Sequence, residues 1–173
     1  MARALWRPRL RRGQVFADVQ SWLTEPGSLT ARCQRACSSF RVRLVRFEKG
    51  RALADEALAG RRAWVREVLL ECDGMPVIFA HTTLSTATNG PLSRWMARLG
   101  ERSLGSLLFS FPGFTRGGIE FLRLDARHPL YRRAMVHTQD AQPILWARRS
   151  RHSYRGQSVV VTEVFLPAIR GLA

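Results

Sequence analysis

A carboxylate near the C-terminus interrupts an apolar strand pattern. Glu163 alternates with Val159, Val161 and Phe165, so on a strand these four side chains share one face. An ionised carboxylate on a buried face is strongly destabilising unless a cation or hydrogen-bond donors meet it. We therefore expect either a partner within the chain or a bound ligand at Glu163.

An arginine occupies a similar position in an earlier predicted strand. Arg66 alternates with Trp64, Val68 and Leu70, a pattern that favours an apolar side chain at its position. A guanidinium is poorly suited to a core but can grip a carboxylate through two parallel hydrogen bonds. Because Arg66 and Glu163 carry opposite charges on separate predicted hairpins, they are the candidate residues of an enclosed polar site.

A purely structural role is the alternative for both residues. Glu163 lies opposite Arg148 if the last hairpin has a two-residue turn, and the two would then form a cross-strand salt bridge. Arg66 could pair with a neighbouring acid or with Glu163 itself, since structural ion pairs also bury charge. The residue pattern alone leaves both alternatives open.

Other common site chemistries lack their motifs. The chain contains no GxxxxGK[ST], GxGxxG, HExxH or GxSxG segment. Cys33, Cys37 and Cys72 form no CxxC pair, and the four histidines show no metal-ligand spacing. The sequence therefore predicts no metal site, and we expect reduced thiols, as in a cytosolic protein.

The composition is strongly basic. The 173 residues carry a net charge of +15, and Lys49 is the only lysine among 28 basic residues. Such a charge favours anionic partners. A nucleic-acid module is disfavoured, because alternation splits the basic run 148–151 across two strand faces and no aromatic stacking motif accompanies it.

The N-terminal residues 1–15 form a basic arm without the apolar run of a secretion signal. No stretch of ~18 apolar residues occurs, so we expect no stable membrane insertion. These features predict a cytoplasmic protein, which we expect to be a monomer.

Periodicity and turn signals outline the elements that position Arg66 and Glu163. Helices are expected over 16–24, 29–39, 92–99 and 103–109, with 129–135 a short helix or loop, and strands over 40–47, 62–72, 75–84, 115–125, 144–153 and 157–166. In the first strand, strict alternation places Phe40, Val42, Leu44 and Arg46 on one side.

Two short turns link four of these strands. Asp73-Gly74 and Arg155-Gly156 are typical two-residue hairpin turns. The predicted fold class is α+β, a single domain over 1–173 with one antiparallel sheet of about six strands and helices on one face.

Several segments resemble one known family. Leu-Trp-Ala-Arg-Arg-Ser at 145–150, followed by Val-Thr-Glu-Val-Phe-Leu-Pro at 161–167, is similar to the closing hairpin of the chorismate pyruvate-lyase family. The segments 22–32, 64–68 and 99–109 resemble further blocks of that family, and all the blocks occur along the chain in the family's order. Together these blocks cover about residues 20–167.

The resemblance implies a function and a site. Members of the family convert chorismate to 4-hydroxybenzoate and pyruvate, the first committed step towards ubiquinone, with neither metal nor organic cofactor. Their fold is an antiparallel sheet with the ligand enclosed beneath helical flaps. By resemblance, Arg66 holds the ring carboxylate, Glu163 faces the ring 4-oxygen, and Leu29 and Leu104 are flap residues that contact the ligand. His81 replaces an arginine of many members, which leaves the polarity of one pocket wall open.

A second function keeps the same fold. Related sheet domains serve as effector-binding modules of transcription regulators, so the pocket could bind an aromatic acid as a sensor without converting it. Only about 20 residues precede the first family-like segment, too few for a helix-turn-helix domain. The sequence therefore favours the enzyme.

Overall fold

One antiparallel sheet organises the molecule. The computed structural model describes residues 6–11, 13–56, 61–85, 91–105, 108 and 112–172. Within them the strands are β1 (Phe40–Arg51), β2 (Arg62–Cys72), β3 (Met75–Ser85), β4 (Thr115–Arg116), β5 (Glu120–Leu124), β6 (Leu145–Tyr154) and β7 (Gln157–Phe165). Their order across the sheet is β1-β2-β3-β7-β6-β4, and β5 also pairs with β6. The predicted α+β class and single antiparallel sheet are confirmed.

The described helices are short. They are α1 (Ala17–Leu23), α2 (Leu29–Ala36), α3 (Pro91–Ala97) and α4 (Pro129–Met135), with a 3-10 turn over Pro167–Gly171. Residues 104, 105 and 108 also have helical backbone, while most of the helix predicted over 103–109 lies outside the described residues. No described helix is long and apolar enough to cross a membrane.

The two predicted hairpin turns form as expected. Asp73 and Gly74 have φ values of 49° and 81°, and Arg155 and Gly156 have 47° and 76°. Two successive residues with positive φ form the turn that matches the twist of the flanking strands. The second turn fixes the register of β6 with β7, whereas a β-bulge shifts the register of β2 with β3 between Leu70 and Glu71.

The predicted alternation of β1 is wrong beyond Leu44. The register against β2 shifts between Leu44 and Arg46, which marks a β-bulge. Phe47 therefore moves to the face of Leu44 and stacks on Trp64 with ring centroids 5.1 Å apart. Arg46 turns to the other face, where its Nη1 lies 4.0 Å from Glu67 Oε2.

The predicted strand over 115–125 is divided in two. Gly117 and Gly118 separate β4 from β5, and the Gly117 N–H donates to the carbonyl of Arg151 over 2.8 Å. Both short strands pair with β6. The glycines thus interrupt the strand, and the chain pairs with β6 once before them and once after them.

Helices cover both faces of the sheet. Packing in the hydrophobic core places α1, α2 and α3 on the face that carries Val68 and Val161, as the prediction required. The fourth helix, α4, packs instead on the opposite face, against Leu69, Phe79 and Val164. The prediction of helices on one face therefore needs this correction, because the opposite face of the central strands is also apolar and must be buried.

The expectation of three reduced thiols is wrong for one pair. Cys37 and Cys72 are joined in a disulfide, with Cα atoms 5.6 Å apart. The end of α2 meets the end of β2 in space, which the cysteine spacing does not reveal. Cys33 is free, and burial raises the pKa of its thiol to about 12, with a further contribution from the negative charge of Glu163.

The described part of the basic N-terminal arm lies against the sheet. Arg7 forms a β-bridge with Phe121, and Trp6 Nε1 donates to Asp55 Oδ2 over 2.6 Å. The Arg149 guanidinium stacks over the Trp6 ring at 4.4 Å. These contacts make residues 6–11 part of the folded structure.

Candidate functional site

The two candidate residues face the same side of the sheet. Arg66 on β2 pairs with Thr82 on β3, which pairs with Val161 on β7. Glu163 on β7 pairs with Ala80 on β3. Directly paired residues in an antiparallel sheet share a face, as do residues two apart on one strand. Arg66 and Glu163 therefore project onto one face from strands separated by β3.

Arg66 is a buried cation held by carbonyl groups. Arg66 is only 2% exposed, and its Nη2 donates to the carbonyl oxygens of Gly100 and Arg102 over 3.0 and 2.8 Å. Burial lowers the pKa of Arg66 to about 10. Within the described part of the chain no carboxylate lies within ion-pair distance of it. Arg66 is thus a candidate anion-binding group rather than half of a structural ion pair.

Glu163 is held by the arginine directly across the last hairpin. Arg148 Nε donates to Glu163 Oε2 over 2.7 Å, which confirms the cross-strand pair expected from a two-residue turn. Arg148 is 2% exposed, and its Nη1 donates to the carbonyl of Glu25 over 2.5 Å. Glu163 Oε1 makes no hydrogen bond to the described residues. The ion pair therefore orients the carboxylate and leaves one oxygen to serve a ligand.

The two predicted flap residues lie over this face. Leu29 begins α2 and is 1% exposed, packed with Val68 and Ala80. Leu104 is 5% exposed and belongs to the cluster that contains Val161. The structure thus brings both leucines to the face that carries Arg66 and Glu163.

A hydrogen bond joins the two covering segments. Thr30 Oγ1 on α2 lies 2.6 Å from Ser103 Oγ, and either hydroxyl can donate. Ser28 caps α2 by accepting a hydrogen bond from the Ala31 N–H over 3.3 Å. The segment 99–105 is in turn tied to the sheet through Arg66. The cover over the site is therefore one connected structure.

Sequence reasoning missed three further polar residues on this face. Ser150 and His152 follow Arg148 at intervals of two on β6, and His152 pairs with Arg116 on β4. Alternation from Arg148 would have found the first two. Arg116 had no such signal, because its place depends on the pairing of a two-residue strand.

His81 lies on the face opposite Arg66 and Glu163, which answers the question that the resemblance left open about this residue. It pairs with Glu67 and Thr162, whose side chains lie on the opposite face. His81 Nδ1 lies 2.8 Å from Glu67 Oε1, and Nε2 lies 3.5 Å from Glu56 Oε1. Alternation along β3 turns His81 away from the face of Ala80 and Thr82.

Metal binding has no obvious place in the described residues. No three of their histidine, cysteine, aspartate or glutamate side chains come together as a metal site. The polar side chains near Glu163 on the covered face include Arg148, Arg116, Ser150 and His152. Such a set favours an organic anion.

Comparison with known proteins decides the family. The family model described as "Chorismate lyase" matches residues 1–170. The chain belongs to the chorismate lyase family. A relative from Dechloromonas aromatica, named "Probable chorismate pyruvate-lyase", is 65% identical over 98% of this chain and 98% of its own length. A second chorismate lyase relative of the same name, from Halorhodospira halophila, is 43% identical over 95% and 90% of the two chains.

Solved structures show the same fold as this chorismate lyase family member. The effector domain of PhnF from Mycobacterium smegmatis has a TM-score of 0.53 at 21% identity, over 82% of this chain and 89% of that domain. The C-terminal domain of a histidine utilization repressor from Pseudomonas syringae gives 0.52 at 11% identity, over 75% and 93%. At these identities the likeness concerns the fold alone.

Proposed function

We propose that the protein converts chorismate to 4-hydroxybenzoate and pyruvate. Membership of the chorismate lyase family supports this activity. The observation that carries the proposal is the placement of buried Arg66 and paired Glu163 on one covered face of the sheet. The resemblance assigns these two residues to opposite ends of the substrate ring.

The geometry supports the roles that the resemblance assigns. Arg66 binds the ring carboxylate, and Glu163 accepts a hydrogen bond from the C4 hydroxyl through Oε1. Neighbouring strands lie about 4.8 Å apart, so β2 and β7, with β3 between them, are separated by roughly 10 Å. Leu29 and Leu104 close over the ring from the two covering segments. This span suits a compact molecule with a carboxylate at one end and a hydroxyl at the other.

The chemistry requires little beyond positioning and charge stabilisation. The bond between C3 and the ether oxygen breaks, the C4 proton is lost, and the electron pair of that C–H bond completes the aromatic ring. The enolpyruvate released takes up a proton to become pyruvate. Holding the reactive conformer and stabilising charge at the breaking ether bond supply the catalysis. Transfer of the C4 proton to Glu163 and concerted transfer to the departing group both satisfy this geometry.

We also propose the setting of the reaction. By family resemblance the product is used for ubiquinone biosynthesis. A cytoplasmic location suits a polar dianionic substrate, which does not cross membranes unaided. Coverage of both sheet faces by the chain's own helices supports a monomer.

Incubation of the purified protein with chorismate tests the proposal. We expect 4-hydroxybenzoate, followed by absorbance, and pyruvate, followed by a coupled assay, to appear in equal amounts. Binding of 4-hydroxybenzoate without release of pyruvate from chorismate would contradict the enzyme and support the sensor instead. The Arg66→Gln variant, prepared in parallel, controls for contaminating activity.

A further inference from the structure

Positive charge exceeds negative charge around Glu163. On the covered face, the guanidinium groups of Arg116 and Arg148 both interact electrostatically with the carboxylate of Glu163. Arg148 and Glu163 neutralise each other through their 2.7 Å contact.

Arg116 lies beside Arg148 beneath the turn between α1 and α2. Its Nη1 donates to the carbonyl of Pro26 over 2.5 Å, while Arg148 Nη1 donates to the adjacent carbonyl of Glu25. Arg148 is on β6 and Arg116 on β4, the next strand, so both arginines lie on the β6 side of Glu163. Burial lowers the pKa of Arg116, and the positive charge of Arg148 lowers it further.

Neutral hydroxyl and imidazole groups accompany Arg116. Ser150 Oγ lies 3.1 Å from His152 Nε2, and both residues are buried. Burial is the main cause that lowers the pKa of His152 to about 4, and the positive charge of Arg116 contributes to it. The imidazole is therefore neutral near pH 7. These groups offer hydrogen bonds to an anion without adding a charge of their own.

We propose that Arg116, with the Ser150 hydroxyl beside it, binds the second carboxylate of the substrate, on the enolpyruvyl group that leaves. The inference rests on the proposed function. The ether carbon C3 is adjacent to C4, so the leaving group begins next to Glu163. On the β6 side of Glu163 that group meets Ser150 and Arg116, whose charge complements its carboxylate.

This assignment makes Arg116 a specificity residue with a selective effect. Chorismate carries two carboxylates, whereas 4-hydroxybenzoate keeps only the ring carboxylate. Loss of the Arg116 charge should therefore weaken binding of the substrate and spare binding of the product. Loss of the Arg66 charge should weaken both.

The Arg116→Gln variant tests the assignment, because glutamine keeps a polar side chain but carries no charge. We expect the KM for chorismate to rise about tenfold or more, since hydrogen bonds to charged groups are among the stronger ones. The dissociation constant of 4-hydroxybenzoate should change by less than about twofold. Arg116→Lys, which keeps the charge, should raise KM less, and circular dichroism checks that both variants fold.

Arg151→Gln is the matched control. It also removes one positive charge, from an exposed position on β6. Arg151 pairs with Val160, on the face of the sheet opposite Glu163. The KM should not change. Equal loss of affinity for chorismate and 4-hydroxybenzoate in Arg116→Gln, or an unchanged KM for chorismate, would overturn the assignment.

Failure of the proposed function has a different signature. A wild type that binds chorismate without converting it would contradict the lyase activity alone, and calorimetry with both ligands would still test Arg116. A wild type that binds neither ligand would overturn both proposals.

Discussion

Glu163 combines an ion pair with an oxygen left for a ligand. Arg148 binds Oε2, and the guanidinium is itself fixed by the carbonyl of Glu25. A carboxylate held in this way keeps its orientation whether or not a ligand is bound. The cross-strand pair and the proposed role in the site are therefore compatible, and the first supports the second.

Replacement of Glu163 by glutamine should reduce both activity and stability. Turnover of chorismate should fall steeply, because the group facing the C4 oxygen loses its charge. The variant also leaves Arg148 buried without a carboxylate, which costs about 3–5 kcal/mol of unfolding free energy by analogy with other broken buried pairs. Turnover must therefore be measured per folded molecule, with the folded fraction taken from urea unfolding.

Glu120→Gln is the matched control for that experiment. Glu120, on β5, accepts a hydrogen bond from Arg149 Nε over the same 2.7 Å, on the opposite face of the sheet. The Glu120 side chain is 40% exposed, so we expect a small stability change and normal turnover. Full activity in Glu163→Gln would remove Glu163 from the mechanism.

Replacement of Arg66 by glutamine should weaken the binding of both ligands that carry the ring carboxylate. Loss of a charge-assisted hydrogen bond in a buried site costs about 1.5–3 kcal/mol, or roughly tenfold to a hundredfold in dissociation constant. Titration calorimetry with chorismate and with 4-hydroxybenzoate measures it. Unchanged affinity for both would exclude Arg66 as the carboxylate-binding residue.

The sequence was informative for residues whose place depends on alternation and a short turn. Charges at apolar positions identified Arg66 and Glu163, and the two-residue turn identified Arg148 as a partner. Arg116 was not predictable, because it reaches the same face through a two-residue strand that follows no periodic pattern. The place of His81 was left open by the family resemblance, although its alternation with Thr82 indicates which face it occupies.

At the level of elements, the cover over the site is held together by hydroxyl groups. Thr30 on α2 and Ser103 in the segment before Leu104 form a hydrogen bond that links the two covering segments. A ligand enclosed beneath them can leave only if this link or its neighbours open. The hydrogen bond is therefore placed to influence product release.

Removal of this link should speed product release. Thr30→Val preserves the shape of the side chain but loses the hydroxyl, and we expect the dissociation rate of 4-hydroxybenzoate to rise about threefold to tenfold. Stopped-flow displacement measures that rate. Ser103→Ala should have a similar effect, and the double variant should add little to either. Additive effects would indicate that the two hydroxyls act independently.

The elements themselves were predicted where local chemistry determines them. Asp73-Gly74 and Arg155-Gly156 each provide two residues that accept positive φ, and both hairpins formed. The bulge after Leu44 was missed, because one inserted residue leaves no mark in the strand's composition. The shift between β4 and β5 likewise depends on pairing with β6 rather than on local sequence.

Across the whole molecule, a second charged network lies on the face opposite the site. Glu67 Oε1 receives contacts from His81 Nδ1 at 2.8 Å and from Arg133 Nη1 at 2.9 Å. Glu56 Oε1 accepts a hydrogen bond from the Thr83 hydroxyl over 3.0 Å. Burial acts to lower the pKa of His81, but the Glu56 and Glu67 carboxylates outweigh it and raise the pKa.

This network predicts a loss of stability at alkaline pH. Because the pKa of folded His81 is raised above its ordinary 6.5, the imidazolium stabilises the fold fully below that pH. The contribution is lost as pH rises through the folded pKa. The free energy of unfolding in urea, measured between about pH 5 and 10, should fall over this range.

A variant without the imidazole separates this effect from general alkaline loss. His81→Gln should flatten the decline, whatever its effect on absolute stability. His137→Gln is the control, because burial lowers the pKa of His137 and its contribution has the opposite sign. An identical decline in His81→Gln and the wild type would contradict the role of His81.

The most direct test of the account is a crystal structure with 4-hydroxybenzoate bound. The account predicts the carboxylate on the guanidinium of Arg66 and the hydroxyl within hydrogen-bond distance of Glu163 Oε1, with Leu29 and Leu104 over the ring. A product bound in the reverse orientation, or bound away from this face of the sheet, would contradict it.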